Sequence, residues 1–296
     1  MESKRDIYDL IPGDYTPVTL LFKPQTPLVQ VVSVLAENKL AYPLIIKPDI
    51  GMQGKAVLKV NSEIELLKAA SKFTVDYIIQ PFVPFPNELG IFYVRYPGEA
   101  KGKITGIVEK EFLIVVGDGV STIEQLLHFN NRYILQIPAL QKNLGAGLHE
   151  VLAPDEKRIL VPYGNHARGS LFLDSTCKIN EKIESVIDKA CQTIPGFYYG
   201  RLDIRFTNFE ELGNGKNWSI IELNGAGSEP THIYDPKHSI FFAWKEIIIH
   251  WRFLYRVSKL NRDRGEKYLT FKEGIKMFRD NNRYVKKISQ IYFSDN

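Results

Sequence analysis

Apolar and polar residues alternate along this chain in short runs punctuated by glycine and proline, with stretches of helical period between them. YYGRLDIRF (198–206) and WSIIELNG (218–225) alternate most clearly and read as strands. Arg201, Asp203 and Arg205 then share one face, with Leu202, Ile204 and Phe206 turned to a core; Glu222 and Asn224 share a face opposite Ile221 and Leu223. LGIFYVRY and KITGIVEK flank the turn PGEAKGK as a hairpin, TVDYIIQPF is a strand entering the proline-broken PFVPFPNE, and residues 43–60 read as strand, loop, strand. Helices are predicted from Thr26-Pro27 to about Asn38, over 63–72 behind a Ser62/Glu65 capping box, after Ser121 with Glu124, from about Asn180 to Thr193, and beyond Asp235-Pro236. Residues 130–170 read as an irregular polar excursion. Without regular βαβ alternation the pattern predicts an α+β fold rather than a doubly wound sheet.

Composition changes this picture little. A chain of 296 residues, 44% hydrophobic and 24% charged, has the balance of a globular protein able to bury a full core. Cys177 and Cys191 have neither metal-ligand spacing nor a partner set for a disulfide framework, which suits a reducing, cytoplasmic setting. MESKRDIYDL has no signal-peptide pattern, and the apolar run 240–251 is broken by Lys245, Glu246 and His250, so no transmembrane segment is expected. Charge is uneven: residues 251–296 carry a net +7 within a chain of net +4. That basic tail reads as a solvated helical face, with no nucleic-acid partner expected.

Two groups of residues suggest chemistry. PLIIKPDIGMQGKAVLKV holds Lys47 before Gly51 and Gly54, whereas a Walker loop puts its lysine after the glycines and before a helix. If 198–206 and 218–225 pair antiparallel, Asp203, Glu222 and Asn224 bring two carboxylates and an amide together, hard donors of the kind Mg²⁺ takes. The same residues also fit a sheet surface laced with cross-strand ion pairs, and Lys47 alone fits a strand lysine reaching for solvent. No ordered Ser-His-Asp or Cys-His arrangement is present.

The order of these pieces resembles the ATP-grasp superfamily, the carboxylate–amine ligases of the D-alanine–D-alanine ligase, cyanophycin synthetase and glutathione synthetase type. The resemblance runs from about Leu40 to Asp235. It implies two α+β subdomains with antiparallel sheets clamping ATP between them, Mg²⁺ (two ions, with Mn²⁺ as a substitute), and an amide bond formed through an acyl phosphate. It implies Lys47 on the α- and β-phosphates, a lid loop containing Gly51, Met52, Gln53 and Gly54, a linker Gln80-Pro81-Phe82-Val83 reading adenine, and Glu88 on the ribose. Lys110 would reach the phosphates, Asp203, Glu222 and Asn224 would hold metal, and Arg201 would lie beside the transferring phosphoryl group. Arg168 with His166 is the candidate grip on the substrate carboxylate, and Ser228, Glu229 and His232 are the candidates facing an amino-acid-like second substrate. The corresponding division is a short N-terminal segment 1–40, subdomains 41–110 and 111–250, and a basic helical tail 251–296. Only about forty residues precede the lysine strand, so the family's first domain is reduced, and a homodimer or partner protein is expected to compensate. The family's earlier phosphate lysine has one loose candidate, Lys23. A small-molecule kinase and a non-catalytic nucleotide-binding scaffold are the alternative readings.

Overall fold

Every strand pairing among the described residues of the computed structural model is antiparallel, as the hairpin-rich sequence predicts. The structure describes residues 2–51, 54, 56–161, 164 and 169–291. In chain order come α1 (Lys4–Leu10), β1 (Leu20–Phe22), α2 (Leu28–Glu37), β2 (Leu44–Pro48), β3 (Leu58–Val60), α3 (Glu63–Ala70) and β4 (Tyr77–Pro81). β5 (Asn87–Val94), β6 (Lys103–Glu111) and β7 (Leu113–Val116) follow, then α4 (Ile123–His128), α5 (Asn131–Ile134), α6 (Ile137–Leu144), β8 (Lys157–Val161) and β9 (Leu171–Asp174). The rest is α7 (Glu181–Gln192), β10 (Tyr199–Phe206), α8 (Phe209–Gly213), β11 (Trp218–Asn224), α9 (Ile240–Asp263) and α10 (Phe271–Ser289).

The smaller sheet has the order β1-β4-β2-β3. Its inner residues Leu44, Ile46, Val60 and Ile79 join Val31 and Leu35 of α2, Leu66 and Ala69 of α3, and Ile288 of α10 in one core. Each such buried aliphatic side chain contributes about 1.5–3 kcal/mol. The larger sheet runs β11-β10-β5-β6-β9. Leu89, Ile91, Ile107, Leu202, Ile204 and Ile220 of this sheet face α7, whose Ile183, Ile187, Ala190 and Cys191 recur at helical spacing. Asn180 caps α7 by accepting from the Ile183 amide at 3.1 Å. The opposite face is divided: one end is left to the cleft described below, and at the other α9 lays His250 and Val257 over Phe92 and Tyr199.

Several expectations need correction. Residues 1–40 are no separate segment, since β1 is an edge strand of the smaller sheet and α2 fills its core. β5 and β6 belong to the larger sheet rather than to a unit ending at 110. The excursion 130–170 is ordered in large part: α4, α5, α6 and the β7–β8 hairpin enclose their own core around Leu113, Leu127, Leu140 and Leu152. Three caps shift. Pro27 takes the cap position of α2. Thr122 with Gln125 forms the box of α4, because Ser121 is bound to Asp118. Ser239 caps α9, while Asp235 ties its loop to the Asp174 and Lys237 amides.

Candidate active site

The two sheets face a common cleft, lined on one side by Ile45, Lys47, Lys59 and Gln80 and on the other by Glu88, Lys110, Asp203, Arg205 and Glu222. Strand pairing explains the second set. Asp203 lies opposite Gly90 on β5 and Glu222 on β11, and Arg201 lies opposite Asn224. A Cβ on Gly90 would stand 2.8 Å from the Val108 side chain, which would have to shift, and 3.3 Å from the Asp203 carboxylate, so glycine lets the strands carry both side chains here without crowding. The register slips between Asp203 and Ile204, and the bulge lets Ile221 line the cleft beside Glu222 instead of turning away from it.

Charges in the cleft are extensively paired. The Lys110 amine stands 3.0 Å from both Glu88 and Asp203, and Arg201 donates to Asp203 at 2.9 Å. Burial alone would push the Asp203 carboxyl up, but Arg201 and Lys110 outweigh it and hold it below the usual carboxylate range. Burial likewise opposes the charge on Lys110, and Asp203 and Glu88 overcome it and raise its affinity for the proton. Glu88 also accepts from the Gly164 amide at 3.1 Å, with Arg205 at 3.7 Å.

Lys47 differs. Its amine donates to the Tyr8 hydroxyl at 3.1 Å and to the Ile221 carbonyl at 3.4 Å, both neutral. Burial pulls it down to about 8, against the more distant Glu222 and Glu88. Tyr8 comes from α1, donates to the same Ile221 carbonyl, and has its own hydroxyl pushed well above the usual range by burial. From that helix Lys4 reaches the Gly51 carbonyl at 2.9 Å and Glu222 at 3.4 Å. Asp49 anchors α1, accepting from the Arg5 amide at 2.8 Å and the Ser3 hydroxyl at 3.1 Å. Neither Lys4 nor Tyr8 is suggested by strand periodicity. The one signal in the sequence is a capped amphipathic turn after Ser3.

The structure brings Lys47, Gly51, Gly54, Gln80, Pro81, Phe82, Val83, Glu88, Lys110, Asp203 and Glu222 to this cleft. It also qualifies some roles. The Gln80 amide donates to Thr19 at 2.6 Å, and the Phe82 amide N–H donates to the Pro43 carbonyl at 3.0 Å. Lys110 is locked between two carboxylates, which replaces the picture of a cation reaching outward. Lys23 does not line the cleft; Lys4 does. Ser228 closes a turn onto Gly225, and Glu229 accepts from Tyr234. His232 departs from its expected place: it is buried beneath α9 and pairs with Glu246 at 3.4 Å, because α9 folds back over its loop. Met52, Gln53, His166 and Arg168 lie outside the described residues.

Among the described residues no three His, Cys, Asp or Glu side chains converge on a metal site. The set that fits a hard cation is two carboxylates and an amide. Asp203 and Glu222 are register partners, and the buried Asn224 side-chain nitrogen has no hydrogen-bond partner there. That nitrogen is a donor, which an acceptor such as a phosphate oxygen would satisfy, while a cation would take the Asn224 side-chain oxygen instead.

Fold and site together define an α+β protein with two antiparallel sheets around a charged cleft. No family model matches the chain. Among curated proteins it is 28% identical over 138 residues to the bifunctional glutathione biosynthesis protein of Clostridium perfringens. That match covers 41% of this chain and 18% of the relative, so it spans less than a fifth of that protein's length. Among solved structures it is similar to D-alanine–D-alanine ligase from Bacillus anthracis (TM-score 0.47, 12% identity, 88% of this chain and 67% of that one). It is also similar to L-amino acid ligase from Bacillus licheniformis (0.46, 16%, 85% and 47%) and to a bifunctional glutathione synthetase from Pasteurella multocida (0.42, 16%, 78% and 33%). By their names these relatives are two amino-acid ligases, a bifunctional glutathione synthetase and a glutathione biosynthesis protein.

Proposed function

We propose that the chain is an ATP-grasp carboxylate–amine ligase that joins small, amino-acid-like substrates with release of ADP and phosphate. One observation carries the reading: a single cleft between two antiparallel sheets holds Lys47 on one wall and the Asp203/Glu222 pair on the other. Phosphoryl transfer asks a protein for positioning and charge neutralisation more than for covalent help. Lys47 and Lys4 would receive the anionic phosphates, and Ile45, Phe82, Val83 and Ile221 give the base an apolar slot. Glu88 would accept from the ribose hydroxyls. Asp203, Glu222 and Asn224 would hold Mg²⁺, which when bound neutralises the phosphate oxygens.

A carboxylate oxygen of the first substrate attacks the γ-phosphorus, and the bond to the β-bridging oxygen breaks to release ADP. The amine nitrogen of the second substrate then attacks the acyl carbon, phosphate leaves, and the amine proton passes to solvent. Arg201, beside Asp203, would face the phosphoryl group, with Arg168 as the proposed grip on the acyl oxygens. The test is a screen for ADP release against mixed carboxylates and amines, with mass spectrometry of products. A ligase releases phosphate only when both substrates are present. Phosphate retained on an acceptor would identify a kinase, and nucleotide binding without turnover a scaffold.

A further inference from the structure

The outer face of α9 is used by nothing described so far. Phe241, Trp244, Ile248, Trp251 and Tyr255 stand three or four residues apart, forming one stripe in which each side chain is 56–72% exposed. The opposite face of the same helix is packed, with His250 at 1% and Val257 at 5% exposure. So the helix is apolar on two faces, and only one of them has a partner among the described residues. Isolated exposed apolar side chains are ordinary, whereas a continuous stripe of large ones marks a contact surface.

Charge around the stripe indicates what it contacts. Lys245, Arg252 and Lys259 recur every seven residues, all exposed, along one flank. The single carboxylate between 240 and 262, Glu246, is turned inward to His232 at 3.4 Å and His250 at 3.8 Å. The outer surface of α9 over that span is therefore apolar and cationic, without an acid. α10 is also basic and aromatic, with Phe271 and Phe278 85% and 63% exposed next to Lys272, Lys276, Arg279 and Arg283, but it carries the acids Glu273 and Asp280 as well. No helix among the described residues is long and apolar enough to cross a membrane.

We infer that α9 docks this protein on an anionic lipid bilayer, lying in the interface with its aromatic stripe at the headgroup–acyl boundary and its cations on the lipid phosphates. Tryptophan and tyrosine favour that boundary, and lysine and arginine beside it add attraction to acidic lipids. A second copy is disfavoured, since a two-fold antiparallel pairing of the stripe brings its basic flank against the same flank. Nucleic acid would engage the cations but leave the aromatic stripe uncovered.

The test uses the full chain with vesicles of phosphatidylcholine alone or mixed with phosphatidylglycerol, measuring co-sedimentation and tryptophan emission. Trp218 is buried, so a blue shift reports Trp244 and Trp251. Association with the acidic vesicles alone is expected, weakening as salt rises. Removing one flank cation (Arg252→Gln) should weaken it about fivefold. The double variant Trp244→Ser, Trp251→Ser should lose at least about tenfold and keep the wild-type far-ultraviolet circular dichroism. Failure to bind either vesicle, or equal binding to both, would overturn the inference. So would a dimer in light scattering that the double tryptophan variant dissociates, or duplex DNA binding by a chain that ignores vesicles.

Discussion

Lys47 offers a prediction that can be worked from geometry. Its amine is buried between two neutral oxygens and titrates at about 8 rather than near 10.5. A phosphate oxygen about 4 Å away would add roughly 4 kcal/mol of attraction at an effective dielectric of about 20, close to three pKa units. Nucleotide binding should therefore return Lys47 to its ordinary range and take up a proton near pH 8. The sign follows: affinity is full below pH 8 and falls up to about tenfold per pH unit above it, until the bound-state pKa is reached. Without nucleotide the folded pKa lies below the unfolded one. Lys47 therefore lowers stability at neutral pH, and the chain regains that stability as pH rises from 8 towards 10.5. Calorimetric titration with a non-hydrolysable ATP analogue, in buffers of different ionisation enthalpy, reads the proton directly. Lys47→Arg stays charged throughout and should remove the pH dependence. A wild-type affinity that is flat from pH 7 to 9.5, with no proton uptake at pH 8, would refute the reasoning.

Further outcomes follow from the same cleft. Lys110→Met leaves the buried Glu88 and Asp203 carboxylates short of a shared cation and should cost about 3–5 kcal/mol in denaturant unfolding. A loss under 1 kcal/mol would argue that the pairs contribute little. Tyr8→Phe removes the hydroxyl that Lys47 donates to, and should raise the ATP dissociation constant about tenfold while leaving kcat less affected. Lys4→Ala, at a partly exposed ion pair, should weaken ATP binding about fivefold, and unchanged binding would remove α1 from the phosphate end. Glu222→Gln should lower turnover at least about 100-fold with nucleotide binding retained, and wild-type turnover would sink the metal assignment.

Alternation alone carried much of this site. Asp203 and Arg205 sit on the predicted strand face because a two-residue period leaves a side chain no other choice once its neighbours are buried, whereas Glu88, read within a proline-broken segment, in fact lies at the start of β5. Ile221 escaped that logic, since a bulge shifts the period by one and no residue in SIIELNG signals it. Lys4 and Tyr8 were invisible for another reason: they reach the cleft from a helix some 40 residues before Lys47 and over 200 before Ile221. His232 turns out to be buried under α9, because proximity in sequence to β11 says nothing of which element folds over the loop. The polar stretch 130–170 hid a core whose apolar residues are spread among several short elements.

In the proposed reaction this cleft couples ATP cleavage to amide formation. The most direct measurement is ADP release with carboxylate and amine substrates supplied singly and together, with products weighed by mass spectrometry. ADP and phosphate in equal amounts, and a condensed product, are expected only when both substrates are present. Phosphate carried on the acceptor, or ADP release indifferent to the amine, would contradict it.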